Sequence, residues 1–203
     1  MNDYWIPYWG ALVLKTRIDE SLINKLLDEG NKSRLNNQDA SKSLVGQIKH
    51  EYYYKDFDDW ILPYLDHILS MYSNKVQESD WLGTSKASMP LSIKKLSGLW
   101  INYQQAHEYN PIHNHTGELS FIIYLQMPNE IKKENEKDFV KGSINFLNSS
   151  YAQPFSKNLL TLFPEVGDFF LFPSWLLHYV NAFESDVERI SVSGNIILKS
   201  PQI

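Results

Sequence analysis

Cysteine is absent from this chain of 203 residues. Its absence excludes a disulfide framework, a thiolate nucleophile and any zinc or iron–sulfur site held by thiolates, and it fits a reducing compartment such as the cytoplasm. Positive charge is scarce as well, since 19 lysines and arginines against 24 acidic residues leave a net charge of −5. The charge therefore gives no reason to expect a nucleic acid or an anionic membrane as a partner.

Long apolar runs are also missing. No segment approaches the roughly 20 apolar residues that a membrane-spanning helix needs. The first nine residues, MNDYWIPYW, have neither the basic start nor the long apolar stretch of a secretory signal. We therefore expect a cytoplasmic protein with no membrane partner, and no pattern in the chain indicates its oligomeric state.

Aromatic residues, by contrast, make up 14% of the chain, and they favour sheets. The spacing of apolar residues predicts helices over 19–30, ending at Gly30, and over 57–71. Beyond residue 95 the chain consists of short β-branched or aromatic segments between turn residues, namely 97–105, 119–127, 142–148, 158–163, 167–172, 176–183 and 188–198. The charged segment 130–141 is expected to be a solvated loop or a hairpin tip.

These segments predict a mainly β fold with flanking helices. So many short strands favour an antiparallel sandwich or small barrel of the jelly-roll type, with the helices covering one outer face of a sheet. No repeat or long linker divides the chain. We therefore expect one domain over 1–203, with a helical and loop scaffold in 1–95 and a β core in 96–198.

Two histidines lie two residues apart, directly before a predicted buried strand. They are His113 and His115, and the strand covers 119–127. In an extended chain such side chains point to the same face, so both imidazoles can converge on a metal ion. The alternative is a pair of polar loop residues beside a strand.

A third histidine and an arginine follow in the last part of the chain. His178 and Arg189 flank a turn signal at 184–187, which predicts that they lie on adjacent antiparallel strands. Arg189 shares its face with Ser191. A buried arginine needs an anionic partner, which is either an acid of the chain or the carboxylate of a ligand.

Taken together, these residues resemble the Fe(II)/2-oxoglutarate-dependent oxygenases, in particular the prolyl-hydroxylase-like branch and the compact bacterial and phage type. The family pattern is His-x-Asp/Glu, a distal His, and an Arg or Lys about ten residues later on a double-stranded β-helix. Here it reads His113-Asn-His115, His178 and Arg189, and Arg189-Ile-Ser191 resembles the Arg-x-Ser motif of several members. Tyr103 and Tyr124 match tyrosines that contact the co-substrate in prolyl-hydroxylase-like enzymes.

The resemblance implies Fe(II) bound by His113, His115 and His178. It also implies 2-oxoglutarate held by a set of polar residues: Arg189, Ser191, Tyr103, Tyr124 and, for orientation, Asn102 and Asn195. The implied reaction hydroxylates an unactivated C–H bond, on a prolyl or other amino-acid side chain of a small-molecule or peptidyl substrate, and releases succinate and CO2. The implied location is the cytoplasm, of a cell or of the infected host if the chain is phage-encoded.

The chain departs from the family in one ligand, because His115 stands where the family has a carboxylate. Three possibilities remain open: a three-histidine site, Glu118 as the acid, or binding by His113 and His178 alone with Gly117 giving a His-x-Gly gap. Candidate pocket walls are aromatic, namely Trp100, Phe121, Phe146, Phe172 and Trp175. Substrate specificity is expected from the loops at 31–50, 73–95 and 130–141.

Two other classes of protein fit parts of the pattern. A cupin-like metalloprotein, either an isomerase or a dioxygenase without 2-oxoglutarate, would use His113, His115, Glu118 and His178, and a zinc hydrolase is a close variant because three histidines and a water also suit zinc. A non-catalytic jelly-roll module would leave the histidines apart. Neither class gives Arg189 a role.

Overall fold

The computed structural model describes residues 4–8, 11–78, 91–148 and 158–199. Within these ranges there are three helices, which are α1 (Glu20–Leu35), α2 (Asp58–Glu78) and α3 (Asn129–Lys137). The strands are β1 (Tyr4–Tyr8), β2 (Ala11–Arg17), β3 (Glu51–Tyr53), β4 (Ile93–Gln104), β5 (Asn110–His113), β6 (Leu119–Gln126), β7 (Ile144–Leu147), β8 (Leu159–Leu162), β9 (Asp168–Pro173), β10 (Leu177–Val180) and β11 (Arg189–Leu198). The seven predicted strand segments are all present, and the mainly β fold is confirmed.

The strands form two antiparallel sheets. The large sheet has the order β1-β2-β9-β6-β11-β4-β3, and the small sheet has the order β5-β10-β7-β8. Strands that follow one another in the sequence repeatedly belong to different sheets, as β9, β10 and β11 do. This arrangement is the jelly-roll form of the double-stranded β-helix.

The helices α1 and α2 cover the outer face of the large sheet, as the sequence predicted. Their apolar stripes, represented by Leu26 and Leu65, form one core with the outward-facing strand residues such as Ile101 and Val192. A second core lies between the two sheets and is rich in aromatic residues, among them Phe170. The inner face of the large sheet also carries polar residues, and these build the site described below.

Several local predictions were wrong. Gly30 does not end α1, which continues to Leu35. Glycine at this position lets the helix approach the sheet, because a Cβ would lie 2.4 Å from Cδ1 of Ile101. Segment 130–141 is not a loop, since α3 occupies most of it and buries Ile131 completely. The first 95 residues also supply three strands of the large sheet in addition to helices and loops.

His178 and Arg189 do not lie on adjacent strands. His178 is on β10 of the small sheet, whereas Arg189 begins β11 between β4 and β6 of the large sheet. The connection at 181–188 therefore crosses from one sheet to the other instead of forming a hairpin. The two residues therefore belong to opposite sheets of the sandwich.

None of the helices in the described ranges has the length and apolar character needed to cross a membrane. Of the three predicted specificity loops, 31–50 is fully described. In the second loop, α2 extends through residue 78, and residues 79–90 lie outside the described residues.

Candidate metal centre

Three histidines converge at one end of the sandwich interior. His113 ends β5 and pairs in register with His178 of β10, while His115 follows in the loop after β5. One nitrogen of each ring lies within 4.8 Å of the corresponding nitrogens of the other two. The Nε2 atoms of His115 and His178 are 3.2 Å apart, which is close to the roughly 3 Å expected between two imidazole nitrogens at right angles on one first-row metal ion.

Hydrogen bonds to carbonyl oxygens orient two of the rings. Nδ1 of His113 lies 2.7 Å from the carbonyl oxygen of Pro111, and Nδ1 of His178 lies 2.9 Å from that of Leu176. A carbonyl oxygen can only accept, so both Nδ1 atoms carry the proton and donate it. In the neutral rings the Nε2 lone pairs are then free to bind a metal, which is how second-shell partners commonly fix metal-binding histidines.

Burial keeps the imidazoles neutral. It lowers the pKa of His115 to about 4, with a smaller contribution from His113. It also lowers the pKa of His113, and that of His178 well below its usual value. Neutral imidazole is the form that binds metal ions.

A polar network supports the loop that carries His115. The backbone N–H of His115 donates to the carbonyl oxygen of Ser174 at 2.9 Å. The hydroxyl of Ser174 lies 2.9 Å from that of Ser120, which donates to Oδ1 of Asn195 at 2.8 Å. Asn195 thus acts through the His115 loop, and the sequence pattern pointed to neither serine.

Arg189 is buried and has no acidic partner among the described residues. Its guanidinium donates to the carbonyl oxygen of Gly142 at 2.7 Å and to Oε1 of Gln104, while its Nε has no partner in the described part of the chain. Burial lowers the pKa of Arg189, but a guanidinium stays protonated in proteins. A cation held only by neutral acceptors remains available to a carboxylate.

Polar side chains form a row beside Arg189 on the inner face of the large sheet. Asn102, Ser191 and Tyr124 are direct cross-strand neighbours on β4, β11 and β6. Nδ2 of Asn102 donates to the hydroxyl of Ser191 at 3.4 Å. Within the described residues, the hydroxyl of Tyr124 and Oδ1 of Asn102 are buried without partners. Unpaired buried polar groups of this kind are costly unless a ligand satisfies them.

Tyr103 does not belong to this group. Its neighbours Asn102 and Gln104 face the interior, so Tyr103 points to the opposite face of β4. Its hydroxyl donates to Oδ1 of Asn31 in α1 at 3.0 Å. The predicted contact between Tyr103 and the co-substrate is therefore wrong.

Glu118 is engaged away from the histidines. Its Oε2 accepts a hydrogen bond from the backbone N–H of Leu198 at 2.9 Å. Gly117 has a φ of +94°, and a Cβ there would lie 2.9 Å from the carbonyl oxygen of Ile196. This turn directs Glu118 to the end of β11 and leaves His115 as the third residue of the cluster.

The histidines line a cavity of about 280 Å³. Ring centroids of Phe172 and Phe146 lie 4.8 and 6.3 Å from that of His178, and that of Trp100 lies 5.9 Å from that of His115. Phe121 also lines the cavity, as predicted, although it packs in the helix-side core as well. Trp175 is 60% exposed and is not part of the described lining.

Sequence reasoning missed one acidic residue of this cavity. Glu51 on β3 is 1% exposed, is the cross-strand neighbour of Asn102, and lines the cavity together with the histidines. Burial, with smaller contributions from Glu108 and Asp39, raises the pKa of Glu51 to about 8. One indication of this role was present in the sequence, because an acidic residue stands at the start of a short aromatic segment.

This shift predicts a pH dependence of stability. Between the usual pKa near 4.5 and about 8, the folded protein holds a proton that the unfolded chain has released, so the free energy of unfolding falls as pH rises through this window. The expected fall is on the order of a few kcal/mol. The free energy of unfolding can be measured by urea unfolding of the metal-free protein at several pH values. The fall should appear in the wild type and in the exposed control Glu136→Gln, and it should be absent in Glu51→Gln. Parallel curves for the wild type and Glu51→Gln would contradict the assignment.

The β part of the chain resembles a known protein family. Residues 98–195 match the family model described as "Putative 2OG-Fe(II) oxygenase". The β core of this chain is therefore similar in sequence to the Fe(II)/2-oxoglutarate-dependent oxygenases. No curated protein sequence matches the chain.

Several solved structures of oxygenases have a fold similar to that of this chain. A Pseudomonas putida prolyl-4-hydroxylase is 11% identical, with 93% of each chain covered and a TM-score of 0.60. The non-heme alpha-ketoglutarate-dependent carbocyclase SnoK from nogalamycin biosynthesis is also 11% identical, with 92% of this chain and 79% of the other covered and a TM-score of 0.60. A Trichoplax adhaerens prolyl hydroxylase is 13% identical, with 93% and 83% covered and a TM-score of 0.55. At these identities the likeness establishes the oxygenase fold.

The cofactors of this oxygenase family, Fe(II) and 2-oxoglutarate, fit the groups that are present. Three neutral imidazole nitrogens suit Fe(II). The unpaired Nε of Arg189 and hydroxyl of Tyr124 are both donors, and the distal carboxylate of 2-oxoglutarate is an acceptor for both.

Proposed function

We propose that this chain is an Fe(II)- and 2-oxoglutarate-dependent dioxygenase that hydroxylates an unactivated C–H bond. His113, His115 and His178 hold the metal. Arg189 pairs with the distal carboxylate of 2-oxoglutarate, with Tyr124, Ser191 and Asn102 beside it. The substrate is an amino-acid side chain, prolyl or other, in a small molecule or a peptide.

One observation carries this proposal: the three histidines meet in the same sandwich interior that contains a buried arginine without an acidic partner. A structural salt bridge would have supplied an acid from the described part of the chain, and none pairs with Arg189. A cupin-like site or a zinc hydrolase accounts for the histidines but leaves the buried cation without a role. A dianionic co-substrate accounts for both.

The residues of the chain have separate tasks in this reaction. The carbonyl oxygens of Pro111 and Leu176 hold His113 and His178 in the tautomer that presents Nε2. Phe146 and Phe172 provide apolar walls that limit water at the histidines. When bound, Fe(II) and 2-oxoglutarate supply the oxidative chemistry, and the protein supplies position and a dry pocket.

The overall reaction balances with dioxygen as oxidant. 2-Oxoglutarate loses CO2 and becomes succinate with one oxygen atom of O2, while the other oxygen atom enters the C–H bond of the substrate. Two electrons come from the co-substrate and two from the substrate, so no further reductant is needed.

The direct test is 2-oxoglutarate turnover by purified protein with Fe(II) and air, measured as succinate. We expect succinate at a rate at least about tenfold above the metal-free protein even without the main substrate, with Zn(II) unable to replace Fe(II). A protein that binds Fe(II) but neither binds nor consumes 2-oxoglutarate would contradict the proposal and favour a cupin-like function. Failure to bind any metal would favour a non-catalytic module.

A further inference from the structure

The cavity beside the histidines contains an unpaired buried carboxylate. Oε2 of Glu51 has no hydrogen-bond partner among the described residues. The described lining of the cavity includes no lysine or arginine, and the charged groups that act on Glu51 are the acids Glu108 and Asp39. Glu108 is itself satisfied by the backbone N–H groups of Lys49 and Gln105. No described group compensates a negative charge on Glu51, so its carboxyl group keeps a proton up to about pH 8 unless a bound cation supplies the missing partner.

A second acceptor lies next to this carboxylate, at a position where only glycine leaves room. A Cβ on Gly46 would lie 2.4 Å from Oδ1 of Asn110 and 3.0 Å from Oε1 of Glu51. Both oxygens therefore converge on the space beside Gly46, in the loop 31–50. The two acceptor oxygens are thus close neighbours in the wall of the cavity, where an N–H group of a bound molecule can donate to them.

Aromatic rings flank the same space. Tyr53 lies two residues from Glu51 on β3, and its cross-strand neighbour on β4 is Trp100, so all three share the inner face of the sheet. All three line the cavity, and Trp100 also contacts the ring of His115. A carboxylate combined with aromatic faces is a common way to bind an organic cation.

We propose that Glu51 binds a cationic nitrogen of the substrate, an ammonium or guanidinium group, while Tyr53 and Trp100 pack against it. The inference rests on the proposed function, because it names the class of substrate for the same site. Because Trp100 is the cross-strand neighbour of Tyr53 and its ring lies 5.9 Å from that of His115, a molecule bound at Glu51 lies in the same cavity as the histidines. The cavity volume of about 280 Å³ admits a small amine or one basic side chain.

Matched probes with and without charge test this inference. Calorimetric titrations of the Fe(II) protein with 2-oxoglutarate, without oxygen, would compare n-butylguanidinium with n-butylurea and n-butylammonium with 1-butanol. We expect at least one cation to bind at least about tenfold more tightly than its neutral counterpart. Glu51→Gln should abolish the preference, and the exposed control Glu136→Gln should keep it.

A milder variant separates recognition from folding. Tyr53→Leu keeps the carboxylate and should weaken the binding of the preferred cation by about two- to fivefold, without changing the affinity for its neutral counterpart. Equal binding of cations and neutral probes, or an unchanged preference in Glu51→Gln, would overturn the inference.

The same titrations keep the two proposals distinct. A protein that binds Fe(II) and 2-oxoglutarate but shows no preference for cations retains the proposed function and overturns the substrate class. A preference for cations that depends on Glu51, in a protein that does not bind 2-oxoglutarate, supports the cation site and overturns the proposed function.

Discussion

Replacing His178 with alanine is expected to abolish metal binding. His178 is the most buried of the three histidines, pairs in register with His113 and lies with its Nε2 3.2 Å from that of His115. Loss of a second-shell partner alone typically costs 10- to 100-fold in metal affinity, so loss of a ligand should weaken Fe(II) binding by more than about 100-fold. Metal content after dialysis and an anaerobic Fe(II) titration would measure it.

Two controls make this result specific. His67→Ala removes an exposed histidine of α2 and should leave the Fe(II) affinity unchanged. Circular dichroism of His178→Ala should show the wild-type content of strands, because the site lies at one end of a sandwich whose cores remain. One Fe(II) per chain at wild-type affinity in the His178 variant would refute the ligand assignment.

The second large effect is expected at the other end of the proposed site. Arg189→Ala removes the cation that pairs with the co-substrate, and truncating one member of a buried charge pair costs about 2–5 kcal/mol. The dissociation constant of 2-oxoglutarate should therefore rise by about 100-fold, roughly 3 kcal/mol, while Fe(II) affinity stays within about twofold. Anaerobic titration of the Fe(II) protein with 2-oxoglutarate would measure the loss.

A graded variant and a surface control sharpen this prediction. Arg189→Lys keeps the charge but loses the planar fork, so it should fall between the wild type and Arg189→Ala. Arg17→Ala removes an arginine paired with the exposed Glu165 and should not change 2-oxoglutarate binding. Wild-type affinity of Arg189→Ala for 2-oxoglutarate would contradict the proposal that Arg189 binds its distal carboxylate.

Short-range patterns predicted much of this structure. The strands after residue 95 were readable because β-branched and aromatic segments alternate with turns, and the inward face shared by Arg189 and Ser191 follows from the twofold period of a strand. The pairing of His113 with His178 needs two segments that are distant in the sequence. The likeness to a family motif predicted that the two histidines converge, but it did not predict that their strands pair.

The wrong predictions concern residues whose position depends on strand pairing and on the order of strands in the sheets, which spacing in the sequence does not determine. Tyr103 has the spacing of a co-substrate residue, but a shift of one position on a strand turns a side chain to the other face. The turn between His178 and Arg189 resembled a hairpin, yet in this fold consecutive strands change sheets. The sequence did not predict Glu51 as a cavity residue, because its position depends on the pairing of β3 with β4, which no local pattern encodes.

The sheet-crossing connection at 181–188 sets a limit on ligand length. It places the histidines of β5 and β10 in one layer and Arg189 in the other, and packed sheets stand about 10 Å apart. In the proposed binding mode the co-substrate is held from both layers, so we expect diacids shorter or longer than 2-oxoglutarate to lose one of the two attachments. The proposed binding mode thus predicts that the architecture sets the length of the preferred diacid, and that substitutions on the rim of the cavity change the preferred substrate without changing this diacid.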